Sequence, residues 1–296
     1  MTEYRAHFDA RIEFANGGDL IANGFRLDLP SASSDVGQLL VQHLGLALVS
    51  KVELSNLSVV EEPHKGSRGV SVSAVERGTV VDLSHTISAG LVTYPGLPAP
   101  TISSHMTYAE SRGKYAEGTE FAMDIITMIG NTGTYLDSPF HRYEGGTDLA
   151  GLELATLVDQ PAEVFHLADS LERGIPASVF WDRSLAGTAV LLHTGWDAHF
   201  GTPSYAAGSP FLTAEGADYL VSQGVTMVGI DSLNIDDTES GGERPAHSKL
   251  LAAGIHVVEH LTNLGALPPS GSRFSAVPPK VEGFGTFPVR AFATLP

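Results

Sequence analysis

Asn131-Thr132-Gly133-Thr134-Tyr135-Leu136-Asp137-Ser138-Pro139-Phe140-His141 is the stretch on which the fold turns. It follows an apolar run at 125–129 and crowds turn residues with titratable side chains. Three more polar groups stand just past apolar runs. His193-Thr194-Gly195-Trp196 follows 190–192, Asp231 follows 225–230, and Glu259 follows 255–258. In open α/β sheets, ligands bind at the carboxyl ends of strands. Four such clusters point to one pocket built from distant parts of the chain.

Working outward, residues 77–296 read as the main domain. Short runs rich in Val and Ile recur at 79–83, 125–129, 162–167, 188–192, 225–230 and 255–258, as buried strands do. Helical stretches are fewer. Thr213 can cap a helix over 214–222 that Gly224 ends, and a second short helix is predicted over 248–253. The pattern predicts a mixed α/β domain rather than a regular βαβ repeat.

Residues 1–76 read differently. Phe8, Ala10, Ile12 and Phe14 alternate with charged or polar residues, which predicts a half-buried strand. Asn16-Gly17-Gly18-Asp19 is turn chemistry, and 20–29 returns as a second strand. Ser34-Asp35 starts a helix, and 51–60 forms a third strand. This β-β-α-β appendage is small enough to be marginal alone, so it is expected to pack on the main domain or on another subunit. Residues 63–69 read as the linker.

Composition narrows the function. Among 296 residues, 43% are hydrophobic, which supplies a full core. The net charge of −17 repels phosphate backbones and anionic bilayers, so nucleic acid and membrane are not expected partners. There is no cysteine, hence no thiolate ligand or cysteine nucleophile. With no apolar leader in the first twenty residues, this points to the cytoplasm. No Gly-rich phosphate loop, dinucleotide fingerprint or G-x-S-x-G elbow occurs.

The opening stretch resembles the signature H-x-G-T-H-x-D-x-P-x-H of the cyclase/arylformamidase family of hydrolases. Gly133, Thr134, Asp137, Pro139 and His141 match, whereas Asn131 and Tyr135 stand where that signature has histidines. Ala246-His247 and the block 259–264 resemble the family's distal His and Glu region. Asp82-Leu83-Ser84-His85, Tyr94-Pro95-Gly96, Thr194-Gly195-Trp196 and Gly229-Ile230-Asp231 resemble further landmarks, so the likeness spans about 79–267 in order. The resemblance implies a swivelling β/β/α-like fold with a mixed sheet. It also implies a small-molecule substrate, hydrolysis of an amide or lactam C–N bond, and a homodimer or larger homo-oligomer. Asp137, His247 and Glu259 would keep metal-ligand positions, and His141 the proton-transfer position.

The departures carry chemistry of their own. An Asn carbonyl is a weak neutral ligand, and a phenol ligates well only after losing a proton near pH ~10. Two lost imidazoles remove at least one cation from a two-metal site. Asp137, His247 and Glu259 can still hold one zinc or manganese ion. A metal-free site is the alternative. There His141, Asp137 and Tyr135 would act as acid and base, with lyase, dehydratase or cyclisation chemistry open to them. Asn131, Phe140 and Trp196 are the expected substrate contacts. Each residue also has an ordinary explanation, such as a turn cap for Asp137 or a helix start for His247, and a non-catalytic binding protein would need no more. Glu259, at the end of an apolar strand, is harder to explain so, because a buried carboxylate needs a partner. The acidic segment 231–246 is read as a hinged lid or a solvated loop, and His256 is expected to face away from the core.

Overall fold

Period-two patterning builds the sheet within residues 2–63. The computed structural model describes residues 2–63 and 78–296. The chain divides into two compact units, Met1–Glu76 and Arg77–Pro296. In the first, β1 (Thr2–Phe14), β2 (Asp19–Leu29) and β3 (Val49–Pro63) form an antiparallel sheet in the order β2-β1-β3. Ala6, Phe8, Ala10 and Ile12 of β1 bury one face against Val36 and Leu40 of α1 (Val36–His43). Gly17 and Gly18, at φ of 87° and 92°, make the turn between β1 and β2. Asp35 caps α1 by accepting the Gln38 N–H. The expected linker lies, beyond Pro63, outside the described residues.

The second unit carries β4 (Val80–Asp82), β5 (Thr101–Met106), β6 (Met123–Thr127), β7 (Tyr135–Asp137), β8 (Gln160–His166) and β9 (Gly174–Ile175). It continues with β10 (Ala189–His193), β11 (Phe211–Leu212), β12 (Met227–Ile230), β13 (His256–Glu259), β14 (Ser270–Ser275), β15 (Thr286–Pro288) and β16 (Phe292–Thr294). Its helices are α2 (Tyr108–Ser111), α3 (Ala214–Gln223) and α4 (Pro245–Ala252). The main sheet runs β15-β7-β13-β12-β10-β8-β14-β16-β4. The four middle strands, β13, β12, β10 and β8, are parallel; the strands on either side are antiparallel.

Alternate side chains of the middle strands feed two cores. Val190, Leu192, Val228, Ile230 and Val257 pack under α3 and α4. Ala189, Leu191, Met227 and Val258 pack on the opposite face with Leu83, Leu136 and Phe274. The sheet curls so far that Ser84, just past β4, bridges to Leu261, just past β13. The mixed α/β expectation therefore holds, with a curled mixed sheet and few helices.

Particular expectations fare differently. The run 125–129 is not a buried core strand: β6 pairs with β5 in a separate hairpin, and Ile125 and Ile126 are each 48% exposed. Apolar character alone cannot say whether a strand meets its own core. The second helix begins at Pro245 rather than at 248, since Pro is favoured in a first turn. His256 is buried, not turned outward, because β13 lies between β12 and β7 with both faces covered. The start of the 231–246 segment is neither lid nor solvated loop, for Asp231, Ser232, Ile235 and Asp236 are fully buried.

Candidate active site

Strand pairing sets the site. Glu259 on β13 stands directly opposite Tyr135 on β7, and Thr286 on β15 stands opposite Asp137. Tyr135 and Asp137 are two residues apart, so they share one face of the sheet. Val257, the cross-strand partner of Asp137, belongs to the core beneath the helices. His247, in the first turn of α4, reaches the site on that side. His141 ends a single 3-10 turn, Pro139–His141, that follows β7.

Close approach of backbone is built in. A Cβ on Gly285 would lie 2.5 Å from the His141 nitrogen, and one on Gly130 would lie 2.3 Å from the Thr286 carbonyl oxygen. Both positions therefore require glycine. Gly133 adopts φ of 65°, and its N–H donates to the Thr93 hydroxyl at 2.8 Å.

Asp236 fixes His247. Its carboxylate accepts the Ala246 and His247 N–H groups at 2.6 and 3.0 Å, capping α4, and meets His247 Nδ1 at 2.7 Å. His247 Nε2 is thereby aimed away from Asp236. It lies 3.5 Å from Asp137 Oδ2 and 3.5 Å from Glu259 Oε1. Asp137 Oδ2 and His247 Nε2 are both buried and have no hydrogen-bond partner among the described residues. The Thr286 hydroxyl donates to Asp137 Oδ1 and meets His141 Nδ1 at 2.8 Å. His141 Nδ1 also lies 3.7 Å from Asp137 Oδ1.

The charges are strongly coupled. Burial disfavours ionising Asp137, but His247, His141 and the Thr286 hydroxyl outweigh it and hold the carboxyl below its usual range. Burial pushes Glu259 up to about 7, helped by Asp137 and opposed by His247, the Tyr135 phenol and the Ile235 N–H. Burial works against protonating His247, yet the Glu259, Asp137 and Asp236 carboxylates raise it to about 10. Burial and the two carboxylates push the Tyr135 phenol well above its ordinary value.

The Asp137 and His247 donors fit a divalent cation. Two atoms bound at about 2.1 Å to one tetrahedral ion lie about 3.4 Å apart. Asp137 Oδ2 and Glu259 Oε1 each sit near that distance from His247 Nε2. Without a cation, the proton that these carboxylates hold on His247 is their countercharge, and a divalent cation would take its place. Asp137, His141 and His247 also bring ligand atoms within 4.8 Å of one another. The Asp236–His247 pair is the usual arrangement by which a carboxylate orients a ligating imidazole.

The structure gathers Asp137, His141, Tyr135, His247 and Glu259. Asn131 lies close enough to the Tyr135 phenol to offset part of its pKa rise. A cavity of 330 Å³ opens beside them, lined by Ile129, Asn131, Phe140, His141, Phe284 and Thr286 among others. Trp196 stands apart. Its indole donates to the Tyr205 carbonyl at 3.0 Å, and it lines a different cleft with Leu167 and Arg173. The four strand-end clusters thus split. Asp231 accepts Thr194 and Gly195 N–H groups at 2.7 and 2.9 Å, tying two clusters to each other. Sequence reasoning missed Asp236 and Thr286. Asp236 was legible only as one of several acids in its segment, and Thr286 gave no signal.

The profile of the Cyclase family matches residues 81–237. A kynurenine formamidase of Geobacillus thermodenitrificans is 32% identical over 213 residues, covering 71% of this chain and 95% of that protein. Isatin hydrolase A of Ralstonia solanacearum has a similar fold, with a TM-score of 0.63 at 23% identity over 74% of this chain and 92% of that one. A predicted metal-dependent hydrolase of Bacillus stearothermophilus superposes with a TM-score of 0.56 at 26% identity, over 73% and 97% of the two chains. The chain belongs to the cyclase family and is a hydrolase of that family.

Proposed function

We propose that this chain hydrolyses the C–N bond of an amide or lactam, with one zinc or manganese ion held by Asp137, His247 and Glu259. The observation that carries this reading is the pair of orphaned, buried atoms, Asp137 Oδ2 and His247 Nε2, 3.5 Å apart. One imidazole with two carboxylates suits either ion. Such a cation supplies Lewis acidity toward a carbonyl and acidifies a water.

The chain's own groups do the rest. Asp236 holds His247 Nδ1, so Nε2 stays turned toward the carboxylates. Thr286 steadies both Asp137 and His141, leaving His141 Nε2 as the atom that exchanges protons with substrate. Phe140 and Phe284, 37% and 43% exposed, offer apolar walls for an aromatic amide at the cavity mouth. The similarity to a kynurenine formamidase over 95% of that protein supports the substrate class.

The finer organisation is proposed with it: a cytoplasmic homodimer or larger assembly, with residues 1–76 as an appendage to a catalytic domain at 77–296. Among the described residues no helix is long and apolar enough to cross a membrane. The exposed Ile102, Ile125 and Ile126 of the β5–β6 hairpin support association with another subunit. Deleting 1–76 and measuring mass in solution tests the appendage's part in assembly.

The activity test is amide hydrolysis by the purified protein, with the formamide of kynurenine and isatin as first substrates. His141→Ala is expected to lower kcat about 10²–10⁴-fold with unchanged circular dichroism. Full turnover in that variant would remove His141 from the mechanism.

A further inference from the structure

Glu259 is held by a directed chain of hydrogen bonds that the hydrolytic reading does not use. The Tyr135 hydroxyl donates to Glu259 Oε2 at 2.6 Å. It also meets His260 Nε2 at 3.3 Å, while His260 Nδ1 meets the Tyr205 hydroxyl at 2.8 Å. All three side chains are buried: Tyr135 is 2% exposed, His260 0% and Tyr205 3%. His260 adopts φ of 55°, a left-handed conformation that costs a non-glycine residue energy and places its ring between the two phenols.

The protons in this chain can be assigned by elimination. A phenol has one proton, and Tyr135 gives it to a carboxylate oxygen, which only accepts. The contact between Tyr135 and His260 then needs a proton on His260 Nε2. A buried imidazole whose ring nitrogens meet only hydroxyls stays neutral. Its Nδ1 is therefore bare, and Tyr205 donates to it. Every donor points the same way, from Tyr205 through His260 and Tyr135 to Glu259.

Glu259 Oε1 is left for other work. It accepts the Ile235 N–H at 2.6 Å and faces His247 Nε2 at 3.5 Å. We propose that Tyr135, His260 and Tyr205 are positioning residues that occupy Oε2 of Glu259 and present Oε1 alone to a divalent cation, so that the site takes one ion per chain. This rests on the metal-bound reading above. It gives the tyrosine at position 135 a role as hydrogen-bond donor to a ligand rather than as a ligand or an acid.

Two readouts test it: zinc affinity and stoichiometry by calorimetry on the full-length apo-protein, and the His260 tautomer by ¹⁵N NMR. The wild type is expected to bind one zinc per chain with His260 protonated on Nε2. Tyr135→Phe keeps the ring and removes the donor. It is expected to weaken zinc binding about 10–100-fold. Tyr205→Phe, remote from the ion, is expected to weaken it less and to loosen the Nε2–H assignment. A wild type that binds one zinc and a Tyr135→Phe variant that binds it equally well would overturn the relay alone. So would an Nδ1-protonated His260 in the wild type. A wild type that takes up no zinc would overturn the metal-bound reading and the relay with it.

Discussion

Asp236 shows how much of the site turns on one residue. It caps α4 through the Ala246 and His247 N–H groups and fixes His247 Nδ1 with the same carboxylate. Asp236→Asn keeps a capping oxygen but lowers the pull on the imidazole. Metal affinity is expected to fall about 10–100-fold while thermal stability changes little, as read by metal titration and melting of the apo-protein. Asp137 and His141 were visible because their spacing matches a family signature, and His247 and Glu259 because the blocks around them resemble the same family's distal region. Asp236 was hidden among the acids of 231–246, and no sequence pattern says that two of these five, Asp231 and Asp236, face inward. His256 misled for a related reason. Alternation along a strand marks a solvated face only when that face is open, and β13 is covered on both sides.

At the scale of elements, the site is a junction of β7, β13, β15 and α4. The Val-rich runs that became β8, β10, β12 and β13 were legible because parallel strands buried on both faces carry continuous apolar residues. β7 was not, since Tyr135-Leu136-Asp137 is short and half polar and reads as loop. β15 and its glycine were equally silent. Gly285 nevertheless sets how closely β15 approaches the His141 turn. Gly285→Ala would force a Cβ to within 2.5 Å of the His141 nitrogen, so backbone must move. The expected cost is about 1–3 kcal/mol, read as a lower denaturation midpoint. Activity is expected to fall further than stability explains, because Thr286 and His141 shift together.

For the whole molecule, burial of neutral histidine couples stability to pH. His256 is held down to about 4 by desolvation, against an ordinary value of 6.5. Between those values the unfolded chain binds a proton that the folded chain refuses. The stabilisation is complete above pH 6.5, declines as pH falls toward 4, and changes no further below it. The loss is about 3 kcal/mol across that window. His256→Gln is expected to flatten this part of the profile in denaturant unfolding followed from pH 7 to pH 4. An unchanged slope in that variant would assign the acid sensitivity elsewhere.

The central claim is tested most directly by the metal content of purified protein, measured by mass spectrometry after growth without chelator and again after dialysis with zinc or manganese. The account predicts about one ion per chain in the wild type and near none in His247→Ala and Glu259→Gln. Protein that holds no ion under any of these conditions, or variants that retain it, would contradict the Asp137–His247–Glu259 site.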